Sequence, residues 1–209
     1  MTAVHTYASD VAFTPAVKAI QARKGSREAY GRVEQRGWRT EVDENLEAFL
    51  ADANSFYFAT ASADGQPYIQ HRGGPKGFLK VLDKQTLAFA DYAGNQQYLT
   101  QGNLSENAKA YIFVMDYAHR RRVKIWGEAR VVEDDDALMD ALMPKGYRAR
   151  PEQVILFKIA AWDTNCPQHI PQKFDAPDVA AALAARDQRI AELEAQVATL
   201  NGQAAPEQG

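Results

Sequence analysis

Tyr68-Ile-Gln-His-Arg72, Gly73-Gly-Pro-Lys-Gly-Phe-Leu-Lys-Val-Leu-Asp83, Leu87-Ala-Phe-Ala-Asp-Tyr-Ala-Gly-Asn-Gln-Gln-Tyr98 and Arg120-Arg-Arg-Val-Lys-Ile-Trp-Gly127 belong to one stretch, Tyr68 to Val132, whose reading decides the fold. Its runs are short, rich in aromatic and β-branched residues, and broken by turn chemistry, the pattern of an antiparallel sheet or barrel. Working outward, Phe56 to Ala61 and Tyr68 to His71 are joined through Ala63-Asp-Gly-Gln66, whose Asp-Gly supplies the positive dihedrals of a tight hairpin. Phe78 to Leu82 and Thr86 to Ala90 form the next hairpin, turning at Asp83-Lys84-Gln85. Asn95 to Glu106 has the spacing of a short helix, and Ala110 to Met115, Val123 to Val132 and Val154 to Trp162 supply further strands. Six or seven strands with one inserted helix imply a small closed or half-closed barrel.

Helices flank it. Thr14-Pro15 opens one, with Thr as N-cap and Pro at the first helical position, and Gly25 and Gly31 leave open whether the segment through Gln35 is one helix or two. Leu46, Phe49 and Leu50 recur at helical spacing within Glu44 to Ala53. The acidic run Glu133 to Asp136 is read as capping for a helix over Ala137 to Met143, not as a metal site. After Pro177, Leu183, Ile190, Leu193, Val197 and Leu200 fall on heptad positions, with Arg186 breaking one of them. That amphipathic helix is expected to pack on a partner subunit, and Asn201 to Gly209 to be a disordered tail. The division is thus 1–54 helical, 55–175 barrel, and 176–209 terminal helix and tail.

The 209 residues are 46% hydrophobic, enough for one sizeable core. A formal charge of -3 argues against a general nucleic-acid binder, which needs an excess of Lys and Arg on one face. One cysteine, Cys166, excludes an intramolecular disulfide framework and fits a reducing compartment. Met1 to Ala12 lacks a cationic region followed by an apolar core, and no window reaches spanning length, so a soluble cytoplasmic protein without membrane partners is expected.

A phosphate-bearing ring cofactor such as flavin mononucleotide asks for cations at its phosphate, donors along its pyrimidine edge and a flat apolar surface beside the ring. Arg72 and Lys80, read as lying on neighbouring strands, can reach one phosphate with charge-assisted bonds. Asn95, Gln96 and Gln97 follow Gly94 at the expected helix opening, where free N–H groups favour an anion. Each feature alone is more often a solvated charge or turn chemistry, and that reading loses ground when they are taken together. Cys166 and His169 make half a metal site, with no second pair, so no metal is expected. A small buried thiol in a Pro-shaped turn is the preferred reading there.

The region from Ala48 to Trp162 resembles the pyridoxamine 5'-phosphate oxidase-like family of FMN-binding split barrels. The matching residues are Ala59-Thr-Ala-Ser62 followed by Asp-Gly-Gln-Pro67, Gly77-Phe-Leu-Lys80, Phe89-Ala-Asp91 with Asn95-Gln-Gln97, and Arg121 to Gly127 with Ala129-Arg-Val131. The resemblance implies a mainly β split barrel with FMN at the two subunit interfaces of a homodimer. In it Lys80 contacts the phosphate, Leu79 lays backbone against the flavin, and Ala90 and Asp91 stand where the next strand reaches the cofactor. Asn95, Gln96 and Gln97 replace a Ser-Arg-Lys phosphate clamp, so Arg72 or one of Arg120 to Arg122 supplies the missing charge. Arg122 matches a position that reaches the flavin from the second subunit. Gln70, His71, Phe78 and Trp126 complete the candidate cofactor set, although Trp126 and Trp162 read first as core residues. His71 is the candidate substrate-side proton donor.

The Ala-rich C-terminal helix departs from the Trp and Arg-containing strand that completes the vitamin pocket of true pyridoxamine phosphate oxidases. The chain instead resembles a subgroup that shares His71-Arg-Gly-Gly-Pro75 and Trp162-Asp-Thr-Asn-Cys-Pro-Gln-His-Ile170. The implied activity is an FMN-dependent oxidation or reduction of a small molecule. The alternatives are a flavin reductase and a non-catalytic flavin- or haem-binding module.

Overall fold

A computed structural model describes residues 6–164 and 167–203. After a 3-10 turn at Ala8–Val11 come α1 (Pro15–Arg23), α2 (Arg27–Arg36) and α3 (Glu44–Asp52), then β1 (Ser55–Ala61), β2 (Pro67–Gly73), β3 (Lys80–Asp83) and β4 (Thr86–Tyr92). The chain continues through α4 (Leu99–Glu106), β5 (Lys109–Asp116), β6 (Arg121–Val132), α5 (Asp136–Leu142), β7 (Pro151–Thr164) and α6 (Ala176–Gln203). The caps read from sequence are in place: Thr14 Oγ1 accepts from Val17 N–H at 3.3 Å and Asp135 Oδ1 from Leu138 N–H at 2.9 Å. The segment through Gln35 is two helices. They part at Gly25, which adopts φ +79°, while Gly31 stays inside α2.

All strand pairs are antiparallel, in the order β2-β1-β5-β6-β7-β4-β3. β1 and β4 are four places apart in that order, about 19 Å in a flat sheet. Yet the Phe56 and Phe89 ring centroids are 5.1 Å apart. The sheet therefore curls on itself, its concave side filled by Phe56, Phe58, Leu87, Phe89, Ile112, Ile125, Ile155 and Phe157. It does not close, because β2 and β3 remain its two edges, and the result is a split barrel. Arg72 on β2 and Lys80 on β3 thus occupy opposite edges of the pairing order, not adjacent paired strands.

Leu46 and Leu50 of α3 join this core, and Phe78 closes it from below, stacked on Phe56 at 5.3 Å. A second cluster lies on the convex side, where Leu142 of α5 packs with Ala88, Ala90 and Val154. β6 and β7 follow the curl through a bulge: Trp126 pairs with Ala161 but Gly127 with Ile159, leaving Ala160 as an extra residue. A Cβ on Gly127 would overlap the Lys158 carbonyl oxygen and approach the Phe157 ring at 2.6 Å.

α6 leaves the barrel after Asp175, whose carboxylate accepts from Asn54 Nδ2 at 2.7 Å. It runs on through Gln203, past Asn201 where the tail was expected to begin, and residues 204–209 lie outside those described. No helix among the described residues is long and apolar enough to cross a membrane.

Gly127→Ala should destabilise the protein by about 3 kcal/mol, the scale of overpacking where backbone and ring must both shift. Equilibrium denaturation by urea, followed through tryptophan fluorescence, measures the loss directly. A midpoint equal to that of the parent chain would contradict the close packing of β6 on β7.

Candidate functional site

Side chains alternate across a strand, so β2 sends Gln70 and Arg72 to the concave side and His71 to the convex side. Arg72 pairs in register with Phe56 and His71 with Tyr57, which fixes those faces. At the concave end the apolar filling stops and polar groups take over. Arg72 Nη1 donates to Asp91 Oδ1 on β4, and Arg72 Nη2 donates to Thr100 Oγ1 at 3.3 Å. Gln153 Nε2 on β7 donates to the other Asp91 oxygen at 3.0 Å. The Thr100 hydroxyl and the Tyr68 hydroxyl donate to Gln70 Oε1 at 3.5 and 3.1 Å.

Burial pushes the Asp91 carboxyl above the ordinary carboxylate range, and the Arg72 charge and the Gln153 bond oppose that rise. The side chains of Arg72 and Asp91 are only 13% and 9% exposed, so neither ion is hydrated well enough to stand alone.

This cluster floors a polar cleft of about 50 Å³ at the open end of the barrel. Six of the residues singled out in the sequence line it: Gln70, Arg72, Asp91, Asn95, Gln96 and Gln97. Two buried polar atoms of its lining, Arg72 Nε and Tyr92 Oη, have no hydrogen-bond partner among the described residues. They fit an added group that accepts and donates hydrogen bonds. The acidic and basic side chains around the cleft are one guanidinium, Arg72, and two carboxyl groups, Asp91 and Glu152, and amides dominate the rest. That donor set suits the edge of a neutral heterocycle better than a phosphate dianion.

Asn95, Gln96 and Gln97 do not open a helix. Gln96 and Tyr98 take φ +60° and +52°, which breaks the helical path, and α4 starts only at Leu99. The three residues form a turn in which Gln97 N–H donates to Asn95 Oδ1 at 3.3 Å. Arg72, expected as a phosphate ligand, is already matched by Asp91.

The other expected residues lie elsewhere. Phe78 and Leu79 are core side chains, and Ala90 is buried beneath α5. Lys80 is half-buried on edge strand β3, opposite Ala88. His71 is exposed on the convex face, its ring edge-on to Tyr57 at 5.6 Å. Trp126 shares that face, but Trp38 stacks on it at 4.8 Å and Tyr111 meets it at 5.1 Å, so its own chain already covers much of the indole. Arg122, on the same face, has a buried Nε without a partner among the described residues. Burial pushes the nearby Tyr111 phenol up to about 12 against the opposing charge of Arg122.

Thr100, Gln153, Tyr68 and Tyr92 were missed by sequence reasoning. The i, i+2 spacing of Tyr68 from Gln70 was the only local signal, since Gln153 reaches Asp91 across the β4 and β7 pairing. Among the described residues no cluster of three or more His, Cys, Asp or Glu could hold a metal. Asn165 and Cys166 lie outside the described residues, and His169 adopts φ +61°.

A family model for pyridoxamine 5'-phosphate oxidase matches residues 42–166, more than half of the chain. No curated protein matches the chain. Among solved structures, HupZ from Group A Streptococcus is 17% identical, with 64% of this chain and 99% of that one covered and a TM-score of 0.49. An FMN-binding protein from Syntrophomonas wolfei is 13% identical, with 69% and 97% covered and a TM-score of 0.46. A protein from Clostridium acetobutylicum related to general stress protein 26, of the pyridoxinephosphate oxidase family, is 12% identical, with 66% and 99% covered and a TM-score of 0.44.

Arg72→Leu should leave Asp91 buried without a counter-charge and cost about 3–5 kcal/mol of stability at pH 7. Asp91 then titrates still higher in the folded state than in the unfolded chain. The variant's deficit should therefore shrink as pH falls toward the ordinary carboxylate range and the acid becomes neutral, and grow as pH rises through the folded value. Denaturation of parent and variant at pH 7 and pH 5 measures this, and an equal deficit at both would refute the coupling.

Proposed function

The chain belongs to the pyridoxamine 5'-phosphate oxidase family, and from that premise we propose that it is an FMN-dependent oxidoreductase acting on a small molecule, with each cofactor site shared by two copies of a homodimer. The observation that carries this reading is the convergence of Gln70, Arg72, Asp91, Asn95, Gln96 and Gln97 on one cleft with two buried polar atoms unpartnered. When bound, FMN supplies hydride or electron transfer through its ring. The protein's part is to bind and orient. The amides of Gln70 and Asn95 to Gln97, with Arg72 Nε, offer donors and acceptors to the pyrimidine edge of the ring, while Lys80 offers its ammonium to the phosphate.

Two features support sharing between copies. Sites that enclose a small molecule occupy roughly 300–1,000 Å³, whereas this cleft has about 50 Å³, so one copy cannot bury a flavin there. Lys80 and Arg122 are also far apart within one chain. The registers place Lys80 in one row with Ala88, Leu156 and Arg130, and Arg122 lies eight residues before Arg130, about 26 Å along the strand. Both can serve one cofactor only when different copies contribute them. His71, on the convex face, reaches a substrate as proton donor when that face of one copy meets the cleft of the other. The single cysteine favours a cytoplasmic location.

FMN added to the protein should bind, and Lys80→Ala and Arg122→Ala should each weaken binding by roughly 1.5–3 kcal/mol, the scale of a lost charge-assisted bond. Calorimetric titration measures both. If the two cations come from different copies, mixing the variants under conditions of subunit exchange should regenerate about a quarter of the tight sites, because half the dimers become hybrids with one intact site each. Additive loss with no recovery would place both residues in one copy's site. Anaerobic bleaching of the bound flavin by NADH or NADPH tests for a reductase; a flavin that stays oxidised with these donors would argue for a carrier.

A further inference from the structure

α6 is a helix of 28 residues, about 42 Å long, whose described side chains are all exposed. Val179, Leu183, Ile190, Leu193, Val197 and Leu200 are each between 42% and 64% exposed and fall on one stripe. They occupy the two inward positions of a heptad: Leu183, Ile190 and Val197 at the first (a), and Val179, Leu193 and Leu200 at the fourth (d). Arg186 takes the remaining d position between Val179 and Leu193.

We propose that this stripe is the seam of a parallel, two-stranded coiled coil formed with α6 of a second copy. The inference deepens the homodimer of the proposed function by naming the surface that joins the copies, and it does not depend on the flavin.

Two observations select this occupant and this orientation. Ile190 and Val197 at a with Leu193 and Leu200 at d is the combination that favours two parallel strands over three or four. Charge complementarity gives the direction. In a parallel pair Arg189, at g, faces the e position five residues further along the partner helix, and the residue there is Glu194. The contact is attractive and occurs twice by symmetry. In an antiparallel pair like positions face one another, so the acidic e residues Asp187 and Glu194 would be brought together and repel. Within its own helix Arg189 already bonds Glu192 at 2.9 Å, on the side away from the seam, and no described side chain of its own copy pairs with Glu194.

Arg186 acts as a register device. A cation at a d position is tolerated when it meets its own counterpart at one layer, beside Asp187 of the partner helix, and a shift by one heptad would bury it against Val179 or Leu193. The start of α6 is fastened to the barrel by the bond from Asn54 to Asp175, and Gln172 Nε2 donates to the Ala118 carbonyl at 2.7 Å. A parallel pair therefore brings both barrels to the same end of the coiled coil, side by side.

Cysteine cross-linking of the full chain in a Cys166→Ser background tests the orientation. Val179→Cys and Leu200→Cys, one near each end of the seam, should each give a disulfide-linked dimer under mild oxidation, while Ala195→Cys on the outer side should not. An antiparallel pair sets each engineered cysteine about 32 Å from its equivalent. Failure at either seam position, or equal cross-linking at Ala195, overturns the proposal. As a second arm, Arg189→Glu should raise the monomer fraction in sedimentation equilibrium and Arg189→Glu/Glu194→Arg should restore the parent's; no change in the single variant also overturns it. FMN absorbance of the same samples reports the flavin separately, so loss of the coiled coil and loss of the cofactor reading are told apart.

Discussion

The absence of a side chain at Gly127 is the constraint on which the barrel depends. β6 is the longest partner in the sheet apart from β7, and the two run together for most of their length. For the sheet to bring β4 round toward β1, these two strands must bend sharply, and the extra residue Ala160 provides the bend. The bend drives the Lys158 carbonyl and the Phe157 ring into the space a Cβ would fill. Once the sheet curls, Phe56, Phe58, Phe89 and Phe157 meet edge to face in its interior, an arrangement that favours the ring quadrupoles as well as burying area.

The same curl explains why polar chemistry gathers where it does. Apolar side chains fill the middle of the barrel, but the final inward positions of β2, β4 and β7 are Arg72, Asp91 and Gln153. A carboxylate there loses water, which pushes its pKa up, and the guanidinium beside it opposes that rise. Satisfying Asp91 takes only part of what Arg72 can donate, and Nε is left over. The arrangement thus leaves a directed donor at the rim of a shallow cleft without leaving a net positive charge there. A phosphate needs such charge; a heterocycle edge does not.

Much of this was legible in the sequence where the cause was local. The Asp64-Gly65 turn joins β1 to β2 as expected, with Gly65 at φ +92°, and the acidic run before α5 caps it through Asp135. The alternation along Tyr68 to Arg72 was equally readable and separates His71 from Arg72 by face, so their adjacency in sequence says nothing of adjacency in space. What could not be read was set by tertiary pairing. Nothing near Asp91 in sequence announces Gln153, which arrives through the β4 and β7 register. The opening of α4 slipped from Asn95 to Leu99 because Gln96 and Tyr98 adopt left-handed backbone, a conformation that Gly94 would have been the obvious residue to supply. Phe78, Leu79 and Ala90, expected among the cofactor residues, spend their side chains on packing.

If each copy carries half of a site on each of two surfaces, as proposed, the geometric difficulty this creates is one that the proposed pairing of α6 would resolve. The cleft opens at one end of the barrel, while His71 and Arg122 occupy the convex face, so the two lie on different faces of one copy. In the proposed dimer they meet between copies. An interface built from the barrels alone would have to be assembled from a half-exposed aromatic face whose rings are partly engaged with each other, as Tyr111 is with Trp126 and Trp126 with Trp38. A helix that projects clear of the barrel and pairs with its counterpart as proposed would raise the local concentration of one barrel at the other, so that a modest contact between convex face and cleft would be sufficient. In that arrangement the tether would carry the association, and the site's polar groups would remain free for what they bind.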